Sequence, residues 1–461
     1  MDRDTFVARL DRNRAGIDHW VARWGSYDVD DSQHIAPELL DAVMNELVQR
    51  LHDNYPFMHP RYAGQMLKPP HPVAMLAYAT AMQINPNNHA LDSSMATSLM
   101  EKEVIAELAQ MFGFGDAHLG HLTAGGTVAN LEALWVARSL QPEKAIVFSD
   151  QAHYTHGRAC ELLNAPHLIA PSDGLGRIDL DELRRLLASG AVGTVVATAG
   201  STGLGAVDQI HEIIPMARDA GVRVHVDAAY GGFFALLARQ EQPPIDARPF
   251  LALAEADSIV VDPHKHGLQP YGCGAVLFRD PTVGRFYAHD SPYTYFTSNE
   301  LHLGEISLEC SRAGSAAAAL WATLQCLPLA EDRGLGLILG RCRQAALRWS
   351  DLIRAHPRME LVVEPELDIL NFYALPTYRD TVKASEISAL TTRVFSATME
   401  DPVEPIYLAM LTVERRLLEG RAANIEWDTD SLSVLRSVVM KPEHADWIPT
   451  LHAAMERHLD G

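Results

Sequence analysis

The sequence predicts an α/β protein built on a largely parallel sheet, and three observations support this. Short continuous apolar runs recur between about residues 120 and 280, and segments with helical periodicity separate most of them. Apolar strands of this kind are typical of a parallel sheet that is covered by helices on both faces. Polar or glycine-rich segments follow several of the runs, at the edge where such sheets bind ligands. The strand candidates are 145–148, 194–197, 222–226, 258–261 and 274–278, with helices expected at 179–188 and 208–220.

The part of the chain before this pattern predicts helices and an extended stretch. Residues 1–90 contain amphipathic segments, followed by a proline-, histidine- and asparagine-rich stretch at 54–88 that cannot form one helix. A helical period begins again near Met100, and its apolar positions are Val104, Ile105, Leu108 and Phe112. We expect residues 1–90 to contribute to a dimer and to the substrate pocket.

The part after the central pattern predicts a loop and a second, smaller domain. Residues 285–305 are rich in aromatic and polar side chains, which is typical of a long functional loop. A helix is expected at 314–327, and strands are expected at 369–374 and 432–439 among further helices. The predicted domains are therefore the segment 1–90, a large domain at 91–330 and a C-terminal α/β domain at 331–461.

Composition limits the possible partners. The chain has 461 residues, of which 48% are hydrophobic, so it can form large cores. Its 38 basic and 59 acidic side chains give a formal charge of −21, which argues against nucleic acid or an anionic membrane as a partner. Five scattered cysteines without CxxC spacing and the lack of an apolar signal core predict a cytoplasmic protein.

Lys265 is the most informative residue. It lies in Asp262-Pro263-His264-Lys265, directly after the run 258–261, and Asp227 ends the run 222–226. A lysine amine can condense with the aldehyde of pyridoxal phosphate as a Schiff base. A carboxylate can keep the pyridine nitrogen of the same cofactor protonated, so that the ring accepts electrons. The two residues together therefore indicate a pyridoxal phosphate site.

Other segments supply what such a site needs. Gly125-Gly126-Thr127 opens a helix, whose free N–H groups and dipole favour an anion such as a phosphate. His153 follows the run 145–148 and could stack on a planar ring, and Thr198 follows the run 194–197. Each signal alone is weak, but all fall at the carboxyl edge of the predicted sheet, and this convergence favours a cofactor site over structural coincidence.

Metal and hydrolase chemistry are disfavoured by the motifs. The close histidine pairs lack a His-Glu-x-x-His pattern and cysteines at zinc spacing, so no metal is expected. The Gly-x-Ser-x-Gly elbow of serine hydrolases is absent, because Gly200-Ser201-Thr202-Gly203 has the wrong spacing.

The sequence resembles the group II pyridoxal phosphate-dependent amino-acid decarboxylases from about His59 to Leu327. The resemblance rests on Ser149-Asp150-Gln151-Ala152-His153, on 225–230 and on 262–265. It is closest to the bacterial and archaeal tyrosine decarboxylase branch, through 262–267 and 308–314. It implies the aspartate-aminotransferase fold (fold type I), with a mostly parallel seven-stranded sheet. It also implies a homodimer.

The resemblance also implies roles for individual residues. Lys265 would carry the Schiff base, and Asp227 would pair with the pyridine nitrogen. His153 would stack on one face of the ring, with Ala229 and Thr198 on the other. The phosphate would be held by Gly126, Thr127 and His264, with Gly125 and Asp262 also at the cofactor. Tyr293 or Tyr295 would protonate the substrate carbon.

The substrate is where the alternatives stay open. The resemblance implies an L-amino acid with an aromatic, tyrosine-like side chain, and the predicted pocket residues are Tyr62, Gln65, Met66, Lys68 and His89. Two departures from the family's patterns are Cys310, where glycine is usual, and the polar stretch 65–68. Lys68, Arg61 and His89 could instead neutralise the second carboxylate of aspartate or glutamate, although we favour solvated positions for Lys68 and Arg61.

Two further functions are compatible with the same residues. A carbon–carbon lyase or an aminotransferase would use the same core, because the protein selects which substrate bond is broken. A non-catalytic pyridoxal phosphate-binding protein is the other alternative. It is disfavoured because each key position holds a chemically competent residue.

Overall fold

A computed structural model describes residues 1–91, 93–288, 307–377, 381–421 and 424–460. Its centre is a seven-stranded sheet, which confirms the predicted mostly parallel architecture. The strands are β1 Leu119–Thr123, β2 Ala145–Ser149, β3 His167–Ala170, β4 Val192–Thr198, β5 Arg223–Asp227, β6 Ser258–Val261 and β7 Gly274–Phe278. Their order is β1-β7-β6-β5-β4-β2-β3, and β7 runs antiparallel to both of its neighbours. The five predicted strands correspond to β2, β4, β5, β6 and β7.

Helices cover the sheet and surround it. In chain order they are α1 Arg3–Ala22, α2 Pro37–Leu51, α3 Pro72–Met82, α4 Met95–Phe112, α5 Gly126–Leu140, α6 Thr155–Leu162, α7 Leu180–Ala188, α8 Ile210–Asp219, α9 Ala235–Ala238, α10 Arg248–Leu251, α11 Gly314–Cys326, α12 Leu335–Ala355, α13 Ala384–Met399, α14 Arg415–Leu418 and α15 His444–Glu456. The predicted stripe of α4 is buried, from Val104 to Phe112. Leu108 lies three or four positions from each of the other three residues, so one helix face packs into the core. None of the described helices is long and apolar enough to cross a membrane.

A second sheet lies in the C-terminal part. The strands there are β8 Met359–Leu361, β9 Ile369–Ala374, β10 Val382–Lys383, β11 Ala409–Glu414, β12 Ile425–Glu426 and β13 Ser431–Val438. Four of them form an antiparallel sheet in the order β11-β13-β9-β8, and β10 pairs with β12. The predicted strands 369–374 and 432–439 are β9 and β13. The boundaries of the three predicted domains stay a prediction.

The predicted loop at 285–305 begins differently from the expectation. Residues Pro281–Phe286 form a 3-10 helix, and the Tyr287 side chain after it is buried. The Tyr287 ring packs edge-on against Trp135, with 4.9 Å between ring centroids. The first aromatic residues of this stretch therefore belong to the core, because their rings pack on α5. Residues 289–306, including Tyr293 and Tyr295, lie outside the described part of the chain.

The segment between α2 and α3 is attached to the C-terminal sheet. Ala63 N donates to Tyr407 O at 2.8 Å, and Val438 N donates to Ala63 O at 2.7 Å. His444, at the start of α15, joins the same region, since its Nε2 lies 3.0 Å from Pro60 O and its Nδ1 accepts from Lys441 N at 3.3 Å. One nitrogen donates and the other accepts, so this buried ring is neutral, and burial lowers its pKa to about 3.

We expect His444 to make the folded chain sensitive to acid. Between pH 7 and pH 5 the unfolded chain gains a proton on this histidine, whose ordinary pKa is about 6.5, while the folded chain does not. The free energy of unfolding should therefore fall by about 2 kcal/mol from this residue alone. His444→Gln should reduce that fall, as measured by urea unfolding at both pH values. The exposed-histidine control, His167→Gln, should keep the wild-type difference, and an unchanged difference in His444→Gln would contradict the assignment.

Candidate active site

The carboxyl edge of the central sheet gathers the predicted site residues around one cavity of about 310 Å³. Thr198 and Asp227 end β4 and β5, where they are paired in register. Lys265 follows β6, and His153 follows β2. Parallel strands end at the same edge, so these side chains come together although they are far apart in the chain.

Every residue predicted to bind the cofactor lines this cavity. They are Gly125, Gly126, Thr127, His153, Thr198, Asp227, Ala229, Asp262, His264 and Lys265. The lining also includes residues that the sequence analysis did not select: Ala124, Val128, Asn130, Thr155, Gly200, Thr202 and Tyr230. All seven are uncharged, and three of them (Ala124, Val128 and Tyr230) directly adjoin a predicted residue, so a sequence pattern alone does not distinguish them.

The glycine turn at the start of α5 allows a ligand to approach its backbone closely. Gly125 has φ +151° and ψ 175°, a backbone conformation that residues other than glycine avoid. A Cβ added to Gly126 would lie 2.8 Å from Oδ2 of Asp262 and 3.3 Å from Cβ of Ala229. The first N–H groups of α5 have no partners within the helix. The turn therefore exposes backbone donors to the cavity, as an anion site requires.

Lys265 stands beside two other polar side chains. Its Nζ lies 3.0 Å from Oδ2 of Asp262, and Nε2 of His264 lies 3.5 Å from the same oxygen. The ring of His264 packs on Tyr271, with 4.9 Å between centroids. Burial is the main cause that lowers the pKa of His264, so its ring is neutral near pH 7. Asp262 thus places the amine at the cavity wall.

Asp227 is a buried carboxylate with two protein partners. Its Oδ1 accepts from Ala229 N at 3.1 Å, and its Oδ2 lies 2.9 Å from Nε2 of His156. Burial alone would raise its pKa, but the hydrogen bond from His156 and the nearby charge of Lys265 outweigh burial and lower it. His156 has no predicted role, because nothing in the sequence indicates a partner 71 positions away.

His153 and His225 are neutral rings that connect the site to the sheet. His153 Nδ1 accepts from Thr155 N at 3.3 Å and lies 2.6 Å from Thr155 Oγ1, and burial lowers its pKa. His225 bonds to Ser258 Oγ at 2.9 Å and to Asn130 Oδ1 at 2.8 Å, and burial lowers its pKa to about 3. Asn130 in turn donates to Gly126 O at 2.8 Å, so the glycine turn is fixed to β5 and β6.

The residues predicted for the substrate pocket do not line the described cavity, and one expectation about them was wrong. Lys68 is not solvated but 8% exposed, and its Nζ donates to Met440 O at 3.0 Å. Arg61 is also largely buried and lies 3.2 Å from Glu404 Oε1. His89 Nδ1 lies 2.9 Å from Cys310 O. Each group has its own partner, because a polar group removed from water must find one. The other predicted residues differ in exposure: Tyr62 is buried, Met66 half-buried and Gln65 exposed.

Known proteins resemble this chain in sequence and in fold. The family described as the pyridoxal-dependent decarboxylase conserved domain matches residues 26–374. A Methanothermobacter thermautotrophicus protein named probable L-tyrosine/L-aspartate decarboxylase is 32% identical over 320 residues, which is 68% of this chain and 82% of that protein. The L-tyrosine decarboxylase of Enterococcus faecium is 30% identical over 410 residues, covering 68% of this chain and 67% of the relative.

A solved structure extends the likeness to the whole fold. The Oryza sativa protein TDC, solved with PLP and tryptamine, superimposes with a TM-score of 0.78 at 18% identity, and the alignment covers 100% of this chain and 99% of that one. The chain belongs to the pyridoxal-dependent decarboxylase family. It is a carboxy-lyase that acts on an amino acid, and its cofactor is pyridoxal 5'-phosphate.

The cavity fits this cofactor. Within the described residues, three buried polar atoms on its wall have no hydrogen-bond partner: Thr198 Oγ1, Asp262 Oδ1 and His264 Nδ1. Buried polar atoms are rarely left unpaired, so they indicate a ligand. The cavity also presents an amine, a carboxylate and a helix N-terminus, which match the aldehyde, ring nitrogen and phosphate of pyridoxal phosphate.

We expect the glycine turn to be sensitive to one added methyl group. Gly126→Ala must displace the carboxylate of Asp262, and such overpacking costs about 1–3 kcal/mol. Pyridoxal phosphate binding, titrated by visible absorbance, should weaken by roughly tenfold or more. Gly340→Ala is the matched control, because an added Cβ meets nothing within 4 Å there. Equal affinities for both variants would contradict this reading of the turn.

Proposed function

We propose that the chain removes the α-carboxylate of an aromatic, tyrosine-like L-amino acid as CO2 and releases the amine. The observation that carries this proposal is that Lys265, Asp227 and the glycine turn open into one cavity. When bound, pyridoxal phosphate supplies an electron-accepting ring for the electron pair of the broken Cα–carboxylate bond. The remaining work falls to the side chains.

Each side chain has a proposed task. Lys265 would hold the cofactor covalently through Nζ, and Asp262 would keep that amine at the wall. Asp227 would pair with the ring nitrogen, while the neutral ring of His153 would pack against the cofactor. Thr198 and Ala229 would contact its other face. The phosphate would be held by a group of donors, namely the backbone N–H group of Gly126, together with Thr127 and His264.

Release of CO2 requires a proton at the substrate carbon. One proton is taken up for each CO2 released, so a general acid must reach Cα. We propose a tyrosine of the segment 289–306, Tyr295 or Tyr293, for this step. Tyr230 is a weaker choice, since its hydroxyl already donates to Asp368 Oδ1 at 2.6 Å.

The charges around the site favour an aromatic over an acidic substrate. The cations considered for a second carboxylate, Lys68, Arg61 and His89, are bound to Met440 O, to Glu404 and to Cys310 O. Ala124, which lines the cavity, donates from its backbone N to Glu309 Oε2 at 2.9 Å, so a negative charge lies next to the cavity wall. Like charges at short range would disfavour a dicarboxylate.

An acidic amino acid is the second candidate, and Arg436 favours it. This buried arginine donates from Nε to Thr202 O at 2.9 Å, and Thr202 lines the cavity. Its Nη2 has no hydrogen-bond partner among the described residues. Because Arg436 is bonded to a residue of the cavity wall, its unpartnered guanidinium nitrogen could hold a carboxylate. Relatives named for tyrosine and for aspartate both occur.

We expect a substrate screen to decide between these candidates. Purified protein loaded with pyridoxal phosphate should release CO2 and tyramine from tyrosine. In the same assay, Lys265→Ala should retain its fold but lose turnover. Borohydride should fix the cofactor to Lys265, as read by peptide mapping. Turnover of aspartate or glutamate alone would support the second candidate. Aldehyde or keto acid without CO2 would contradict decarboxylation.

We also propose a homodimer, and its interface would include α1 and α2. Neither helix contains a buried residue in the single chain. The apolar side chains of α2 are exposed at positions that share one helix face: Leu40, Val43, Met44, Leu47, Val48 and Leu51. Extended exposed apolar surface of this kind is unusual for a monomer. A second copy of the chain would cover it through a two-fold contact.

Leu47→Asp should shift the chain from dimer to monomer, because it places a charge in the proposed interface. Sedimentation velocity across a concentration series measures the shift. Asn45→Asp adds the same charge to the same helix and is the control that should stay dimeric. A wild-type chain that sediments as a monomer at all concentrations would rule the dimer out.

A further inference from the structure

Behind Asp227 lies a second buried group, the imidazole of His156. It sits in the first turn of α6 with a fully buried side chain, and it does not line the cavity. Its Nε2 is 2.9 Å from Asp227 Oδ2. Asp227 therefore lies between the imidazole on one side and the cavity on the other. Each of its oxygens accepts one hydrogen bond from the protein, which leaves further lone pairs for a ligand.

The surroundings of His156 fix the direction of this hydrogen bond. Its Nδ1 has no hydrogen-bond partner in the described structure, and its ring packs against Phe148 with 5.8 Å between centroids. We assign the proton to Nε2, because a buried N–H at Nδ1 would have no acceptor and Asp227 would lose its donor. His156 thus donates to Asp227.

Other charged or titratable groups face the same pair. His153 precedes α6, His225 lies on β5, and Asp262 and Lys265 follow β6. Burial lowers the pKa of both His153 and His225, so neither adds positive charge near pH 7. Lys265 lowers the pKa of Asp227, but it also reaches Asp262 at 3.0 Å. Among these groups, His156 is the one with a direct hydrogen bond to Asp227.

We propose that His156 is a positioning residue that holds the Asp227 carboxylate from behind, so that Asp227 can keep the ring nitrogen of the cofactor protonated. This inference rests on the role proposed above for Asp227. Without His156, burial would favour the protonated acid, which is a poor partner for a protonated ring nitrogen. The carboxylate would also lose the contact that fixes its rotation. His156 itself touches neither substrate nor cofactor in this arrangement.

The test compares two substitutions at this position. His156→Phe keeps a buried planar ring without a donor, whereas His156→Gln keeps an N–H donor. The readout is the visible absorption of the bound cofactor as a function of pH, with cofactor stoichiometry and kcat measured on the same samples. We expect the Phe variant to bind the cofactor through Lys265, to lose the ring-nitrogen proton at a pH at least one unit lower and to lose at least tenfold in kcat. The Gln variant should restore most of the wild-type profile.

Two controls separate this role from packing. His167 stacks on the same Phe148 ring, with 5.8 Å between centroids, and it is exposed, so His167→Phe should leave the spectrum and its pH profile unchanged. In an Asp227→Asn background, His156→Phe should cause no further spectral change, because it acts through the removed carboxylate.

The outcomes distinguish failure of this inference from failure of the proposed function. If Asp227→Asn alters the spectrum but His156→Phe does not, His156 has no positioning role. If Asp227→Asn itself leaves spectrum and kcat unchanged, the role proposed for Asp227 fails and the inference fails with it. If Gln and Phe at position 156 cause equal losses, the ring contributes packing and the inference is overturned.

Discussion

The buried carboxylate of Asp368 is the contact on which the arrangement of the site depends. It accepts a hydrogen bond from Tyr230 Oη at 2.6 Å and lies 3.2 Å from Nε2 of His266. Tyr230 comes three residues after Asp227, and His266 directly follows Lys265. One side chain just before β9 therefore fixes both loops that carry the proposed chemistry. A buried carboxylate is costly without partners, so these groups are held together strongly. Burial would raise the pKa of Asp368, but His266, Tyr230 and Lys68 outweigh it and lower the pKa.

Two buried lysines attach the segment before α3 to the C-terminal part of the chain. Lys68 donates to Met440 O at 3.0 Å, and Lys441 donates to Tyr62 O at 2.6 Å. Burial lowers the pKa of both ammonium groups, in Lys441 to about 8. Each of these two buried amines therefore bonds to a backbone carbonyl of the other segment, and the two segments are 62–68 and the residues that follow β13. This explains why the ammonium of Lys68 bonds to the C-terminal part of the chain, since it replaces lost water contacts with a carbonyl there.

Local sequence predicts what depends on local chemistry. The apolar runs became β2, β4, β5, β6 and β7, and the polar residues that follow them line one cavity. Strand β1 was not predicted because it contains His121, and a polar residue does not indicate a buried strand. In the structure the ring of His121 is buried, and its Nε2 lies 2.8 Å from Oε2 of Glu132. The antiparallel direction of β7 follows from its pairing with β1 and β6, which no local pattern encodes. The position of Lys68 depends on a contact 372 residues away in the chain. The contact between His156 and Asp227 is likewise set by the fold.

The electrostatics of the site follow from the burial of its histidines. Burial lowers the pKa of His153, His225, His264 and His266, so these rings are neutral near pH 7. They can then supply hydrogen bonds and flat surfaces but not positive charge. An anionic phosphate must be stabilised mainly by backbone N–H groups, which are oriented dipoles that need no counter-charge. The glycine turn suits this proposed role, because a Cβ added to Gly126 would lie 2.8 Å from Oδ2 of Asp262 and one added to Gly125 would lie 3.2 Å from Cε1 of His264. With these four histidines neutral, none of them offsets the negative charge that Asp227 is proposed to hold beside the ring nitrogen.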